Sequence, residues 1–200
     1  MKGKRSGSSE RQPADKAERL SELRDRLKQK LLSCVRTGKI TLSSGKETDF
    51  YFDGRVVSLD PEGSVLIAEL LLEELKKQGV RGVGGLTSGA DPITSSIGVL
   101  AHQQGVPLHL FYVRKAAKGH GMQKRIEGPP MPKGLEVALV DDVITTAGSL
   151  LEARDALREE AQVEVSHAMV VIDREEGGRE KLSENGIELI SLFRRRDFLP

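Results

Sequence analysis

The sequence predicts an α/β domain built on a central parallel sheet flanked by helices, and three observations carry that expectation. From residue 80 onward, short apolar runs alternate with segments of helical periodicity, the pattern of a parallel sheet covered on both faces. The 200 residues suit one ordinary domain. Hydrophobic residues make up 38%, enough for a real core, which excludes wholesale disorder.

The elements follow in chain order. Residues 1–14 are polar and basic, with no apolar side chain between Met1 and Ala14 except Pro13, so they predict a flexible basic tail. The domain proper runs over 15–200. Leu20, Leu23, Leu27 and Leu31 recur at helical spacing and predict an amphipathic helix over 15–36 that Thr37 and Gly38 end. Cys34 on that helix reads as a small core residue. Two short strand-like pieces follow, around Ile40 and over 50–53. Pro61 opens a second helix whose apolar face spans 65–75 and which closes at Gly79. Strands are then expected over 80–86, 108–113, 135–140, 163–172 and 187–193, with helices over 92–104, 149–160 and 175–185 between them. In such sheets ligands bind beyond the carboxyl ends of the strands, so chemistry is sought just after each strand.

Composition narrows the function. Lys plus Arg total 31 against 30 acids, a balance that argues against a dedicated nucleic-acid binder. The single cysteine excludes a disulfide framework and a cysteine-ligated zinc site, and fits a reducing cytoplasm. No apolar run is long enough for a membrane span, and the basic start lacks the apolar stretch of a secretion signal.

The most informative segment is 137–149. Four apolar residues lead directly into two adjacent carboxylates, Asp141 and Asp142, followed by Val143, Ile144, Thr145, Thr146, Ala147, Gly148 and Ser149. Small residues at a helix start let backbone N–H groups approach an anion, and the hydroxyls add donors. The acids would repel a phosphate and suit sugar hydroxyls or a hydroxyl-bound metal. Together they describe a receptor for ribose 5-phosphate; the plainer alternative is a capped helix beside solvated acids. Neither a Walker A pattern nor a dinucleotide G-x-G-x-x-G occurs here.

A second segment, 114–125, follows a strand with Arg114, Lys115, Lys118, Lys124 and Arg125, His120, glycines at 119 and 121, and no acid. From there to Gly134 no regular structure is expected. Alone, the segment is either a solvated run of charge or a lid that settles on an anion such as pyrophosphate.

The acid–threonine segment resembles the signature for 5-phosphoribosyl 1-pyrophosphate in type I phosphoribosyltransferases. Arg114, Lys115, Lys118 and His120, with Gly119 and Gly121, are similar to the catalytic loop of the orotate phosphoribosyltransferases. Residues 41–45 and 50–53 are similar to that family's N-terminal base-binding hood, about 37–60 here, and Arg174 after Asp173 falls where the family has a substrate-binding arginine. The resemblance runs from about residue 30 to the C-terminus. It implies a type I phosphoribosyltransferase fold and transfer of the phosphoribosyl group to orotate, giving orotidine 5′-monophosphate and pyrophosphate.

It also implies roles. Arg114, Lys115, Lys118 and His120 would bind pyrophosphate, the loop of one subunit closing over the neighbour's site in a homodimer. Asp141 and Asp142 would hold the ribose hydroxyls and residues 145–149 the 5-phosphate, with Val143 and Ile144 also among the residues that bind phosphoribosyl pyrophosphate, and Thr145, Arg174, Tyr51 and Phe52 would hold the orotate. Arg174 suits a carboxylate by chemistry as well, because a guanidinium meets it with two parallel hydrogen bonds. Lys118 is expected to be the principal stabiliser of the leaving group, with His120 assisting. Magnesium would arrive with the substrate's phosphates. His102, His109 and His167 fall in helix or strand patterns and read as structural.

Three positions depart from the commonest family pattern: Ser43 and Gly89, where many members carry lysines, and Ala147, where glycine is frequent. Two other functions remain open at this point, transfer to a different base and a ligand-sensing regulator on the same fold.

Overall fold

The computed structural model describes residues 13–41, 47–116 and 124–199. Residues 1–12 of the expected tail, Ser43, and the catalytic candidates Lys118 and His120 lie outside the described residues, whereas Pro13 and Ala14 already belong to the first helix.

Helix α1 (Pro13–Leu32) buries Leu23, Leu27 and Leu31 and packs on helix α3 (Pro61–Gln78). It stops four residues short of the expected end. The chain turns at Ser33 and Cys34 and runs straight into strand β1 (Val35–Thr41), so Thr37 and Gly38 lie inside a strand rather than after a helix. Gly38 takes φ +101 where the register of β1 shifts, a conformation that favours glycine. Strand β2 (Glu47–Phe52) pairs antiparallel with β1 and completes a hairpin. Asp53 then caps a five-residue helix, α2 (Gly54–Ser58), which the sequence pattern did not announce. Asp60 accepts from the Gly63 N–H at 2.7 Å to start α3, and Gly79 at φ +70 closes it, both as Pro61 and Gly79 foretell.

The rest of the chain forms strands β3 (Gly82–Leu86), β4 (His109–Val113), β5 (Ile126–Glu127), β6 (Glu136–Ile144), β7 (Glu164–Asp173) and β8 (Glu188–Arg194). Helices α4 (Ala90–Gln103), α5 (Gly148–Glu160) and α6 (Gly178–Glu184) connect them. One six-stranded sheet results, in the order β5-β4-β3-β6-β7-β8, parallel except for β5. Strand β5 is a correction: the stretch up to Gly134 contains a short edge strand, in which Val113 faces Ile126 and Tyr112 faces Glu127. The last crossover helix is shorter than the expected 175–185, because Gly177 at φ +87 delays its start.

Alternation along the strands explains the layers. On β6, Ala138 and Val140 join a core with α1, α3, α4 and the hairpin, while Val137 and Leu139 join the core under α5 and α6. Met169 and Val171 on β7 divide from Ala168 and Val170 in the same way. The chain leaves β3 for β4 on one side and returns to β6 on the other, so the strand order reverses at the β3/β6 boundary. Open parallel sheets leave a crevice at such a point, beyond the carboxyl ends of those two strands.

Candidate active site

The crevice is occupied by acids. Asp141 and Asp142 do not follow β6, as the apolar run suggested, but lie inside it, since the strand continues to Ile144. The ladder to β7 continues through Asp141 opposite Val170 and Ile144 opposite Asp173, so the backbone carrying the pair is held rigidly. Asp141 is only 9% exposed. Its Oδ1 accepts from the Asp142 N–H at 3.0 Å and its Oδ2 from the Ser149 hydroxyl at 3.3 Å. Burial, then the neighbouring Asp142 charge, pushes the Asp141 carboxyl up to about 7. Asp142 is also raised, mainly by burial, although the Arg55 charge opposes the shift.

Two glycines make room for these acids. A Cβ on Gly54 would collide with the Asp142 side chain, and one on Gly89 with the Asp141 carboxylate. The glycine at 89 therefore has a local cause: the loop backbone after β3 lies directly against the acid.

A cavity of about 310 Å³ opens here, lined by Thr87, Ser88 and Gly89 after β3, by Asp141, Asp142, Val143 and Ser149 from β6 and α5, and by Lys115. Tyr51, Phe52 and Arg55 contribute the hairpin side. Beside the acids, Ile144 is buried at the strand end, Thr146 is exposed, and Gly148 begins α5. Ala147 adopts φ +63, the left-handed region, which accounts for the glycine frequent at this position in the family the segment resembles.

Arg114 stands outside that cavity, at the root of the β4–β5 hairpin. Its N–H donates to the Arg125 carbonyl at 2.8 Å, and its guanidinium lies 3.5 Å from Glu127. Arg125 is committed elsewhere, donating to Glu152 at 2.6 Å and to the Arg114 carbonyl at 2.9 Å. Of the described loop cations, Lys115 is the one that lines the cavity with the acids.

The four residues expected around orotate are divided. Thr145 and Arg174 line a second, larger cavity of about 730 Å³ with Lys39, Thr48, Asp49 and Glu176, whereas Tyr51 and Phe52 belong to the acid cavity, and Phe52 is largely buried in the core. Thr145 sits between the two groups, directly after the strand that carries the acids. Arg174 donates to Thr48 Oγ1 at 3.2 Å and to the Phe50 carbonyl at 3.1 Å, so it ties the hairpin to the end of β7. Sequence reasoning missed Thr48, Arg55 and Glu176; the spacing offers no signal for a contact 126 residues away. His102, His109 and His167 sit in α4, β4 and β7, away from both cavities, and Cys34 is buried in the core.

Among the described residues no three His, Cys, Asp or Glu side chains gather into a metal cage. The acid pair still fits a magnesium that arrives on phosphates, because such an ion keeps most of its waters and takes one or two protein carboxylates.

Residues 61–189 match the family of the phosphoribosyl transferase domain. An orotate phosphoribosyltransferase of Rhodopirellula baltica is 44% identical over 170 residues, covering 82% of this chain and 87% of its own. Among solved structures, the Mycobacterium tuberculosis H37Rv orotate phosphoribosyltransferase in complex with Fe(III) dicitrate superposes with a TM-score of 0.76 at 37% identity, over 88% of this chain and 98% of that one. The same mycobacterial enzyme in complex with 5-phospho-α-D-ribosyl 1-diphosphate superposes with a TM-score of 0.73 at 32% identity, over the same shares of both chains.

Proposed function

We infer the reaction from one premise: this chain belongs to the orotate phosphoribosyltransferase family and carries its type I phosphoribosyltransferase fold. It is a pentosyltransferase of pyrimidine synthesis, moving the 5-phosphoribosyl group from phosphoribosyl pyrophosphate to orotate with release of pyrophosphate. The residue roles below are our assignment, and the observation that carries them is the buried acid pair at the strand-order reversal, bonded to Ser149 at the start of α5.

Asp141 and Asp142 accept from the ribose hydroxyls. A carboxylate disfavoured by burial gains from two new donors, and that gain is available only when the sugar is seated. Thr145, Thr146, Ala147, Gly148 and Ser149 hold the 5-phosphate with backbone N–H groups and hydroxyls. Thr87, Ser88, Gly89 and Lys115 border the diphosphate end, where Arg114, Lys118 and His120 of the loop would join them. Arg174 meets the orotate carboxylate, with Thr145 beside it. Tyr51 and Phe52 wall the sugar side rather than the orotate ring.

Departure of pyrophosphate leaves positive charge on the ribose ring and gathers negative charge on the leaving group. A cation about 4 Å from that group is worth roughly 4 kcal/mol at an effective dielectric near 20, before desolvation costs. Each 1.36 kcal/mol retained in the transition state is about tenfold in rate. Lys118 is our principal leaving-group stabiliser. Magnesium, carried in on the phosphates, neutralises part of their charge when bound.

We further propose a homodimer whose loop serves the neighbouring site, and a cytoplasmic location, consistent with one cysteine and with no described helix long and apolar enough to cross a membrane. The test is an assay following orotate absorbance with magnesium and phosphoribosyl pyrophosphate. Turnover of orotate with none of adenine, hypoxanthine or uracil supports the reading. Binding of phosphoribosyl pyrophosphate without pyrophosphate release would make the protein a sensor instead.

A further inference from the structure

The larger cavity holds an arrangement that the reaction alone does not require. Arg174 is 16% exposed at its side chain, and its bonds are crowded onto one nitrogen. Nη2 faces three acceptors: Thr48 Oγ1 at 3.2 Å, the Phe50 carbonyl at 3.1 Å and Glu176 Oε1 at 2.8 Å. That nitrogen carries two hydrogens, so one acceptor is in excess. Nε, by contrast, is buried without a hydrogen-bond partner. The charged acceptor among the three, Glu176, is itself a wall of the cavity.

The other charges of this cavity are also engaged. Lys39 pairs with Glu47 at 2.9 Å, and Asp49 pairs with Arg195. An anionic ligand entering here finds no described cation of the wall free and has to take one from a carboxylate. Arg174 is the natural point of exchange, because Thr48 and Phe50 already take the hydrogen bonds of Nη2 and the Glu176 contact is an ion pair in excess of them.

We infer that Glu176 is an exchange partner for Arg174: it holds the place of the substrate's carboxylate in the empty site and competes with it in the filled one. This rests on the assignment of Arg174 to the orotate carboxylate. Product orotidine 5′-monophosphate carries the same carboxylate, so the competition acts on it equally. Glu176 thus tempers the grip on the base at both ends of the reaction. Binding energy common to substrate, transition state and product does not raise turnover, and an internal competitor keeps it from retaining product.

The test compares wild-type enzyme with Glu176→Gln, which keeps size and hydrogen bonding but removes the charge. The KM for orotate should fall about three- to tenfold, the inhibition constant of orotidine 5′-monophosphate should fall by a similar factor, and kcat should not rise. Inhibition by uracil, which lacks the carboxylate, should not change. Melting temperature checks the fold. If Glu176→Gln does not fold, Glu176→Asp, whose carboxylate falls one methylene short, should shift both constants the same way by a smaller factor. A folded variant whose orotate and orotidylate constants stay put or rise overturns the inference while leaving the assigned reaction intact. Wild-type enzyme that never converts orotate overturns the assignment first, and the inference with it.

Discussion

The two acids in β6 are buried side by side, and their energetics give the pH behaviour a definite sign. Asp141 binds its proton more tightly folded than unfolded. Between the ordinary 3.8 and about 7, the folded protein keeps a proton that the unfolded chain has lost. Asp141 therefore favours the fold at the acid end of that window, and the advantage is lost as pH rises through it. Replacing it removes the penalty. Asp141→Asn should match wild type near pH 4 and exceed it by about 1 to 3 kcal/mol at pH 8 in urea unfolding without ligand. The same variant should lose at least about a hundredfold in orotate turnover. A stability gap that does not widen with pH contradicts this account. Ala147 offers a second gain in stability. Its left-handed backbone strains an L residue, so Ala147→Gly should raise stability by about 0.5 to 1 kcal/mol in the same unfolding experiment, the gain limited by glycine's freedom in the unfolded chain.

At the level of elements, α1 owes its place to one apolar stripe. Leu27 and Leu31 are fully buried beside α3, and truncation leaves a cavity that the sheet cannot collapse into. Leu27→Ala should cost about 3 kcal/mol and lower the melting temperature by several degrees. That stripe was legible because helical spacing is a local property. The helix end was not: Cys34 and Val35 continue an apolar pattern that suits a helix as well as the hairpin strand they actually enter, and pairing of Val35 with Phe52 decides it. Helix α2 and strand β5 are too short for any periodicity to register. The acids' position within β6 escaped for a related reason. Charged residues normally end a buried strand, yet here the ladder to β7 carries on through them.

Taken whole, the molecule divides its site between what sequence proximity reveals and what only folding creates. Residues 141–149 are contiguous, so the segment we assign to the sugar phosphate could be read as one unit. The meeting of Arg174 with Thr48 and of Gly89 with Asp141 depends on tertiary packing and left no trace in spacing. The proposed sharing of loops between subunits has a clean test of the same scale. Mixing and re-annealing inactive Asp141→Asn and inactive Lys118→Ala chains should restore about a quarter of wild-type sites, since half the dimers are mixed and each mixed dimer holds one intact pair. No recovery would place the loop and the acids of one site on the same chain.

The acids ride on an interior strand whose ladder to β3 stops at Leu139 while the ladder to β7 runs on past them to Ile144. That ladder restrains the backbone under the pair, so the sugar end we assign to it would be a fixed socket and the periphery would be the part free to be retailored. Lineages descending from such an architecture would be expected to exchange their preferred nucleobase by rewriting the hairpin and its arginine clasp, while the socket for the shared donor passes unchanged from one to the next.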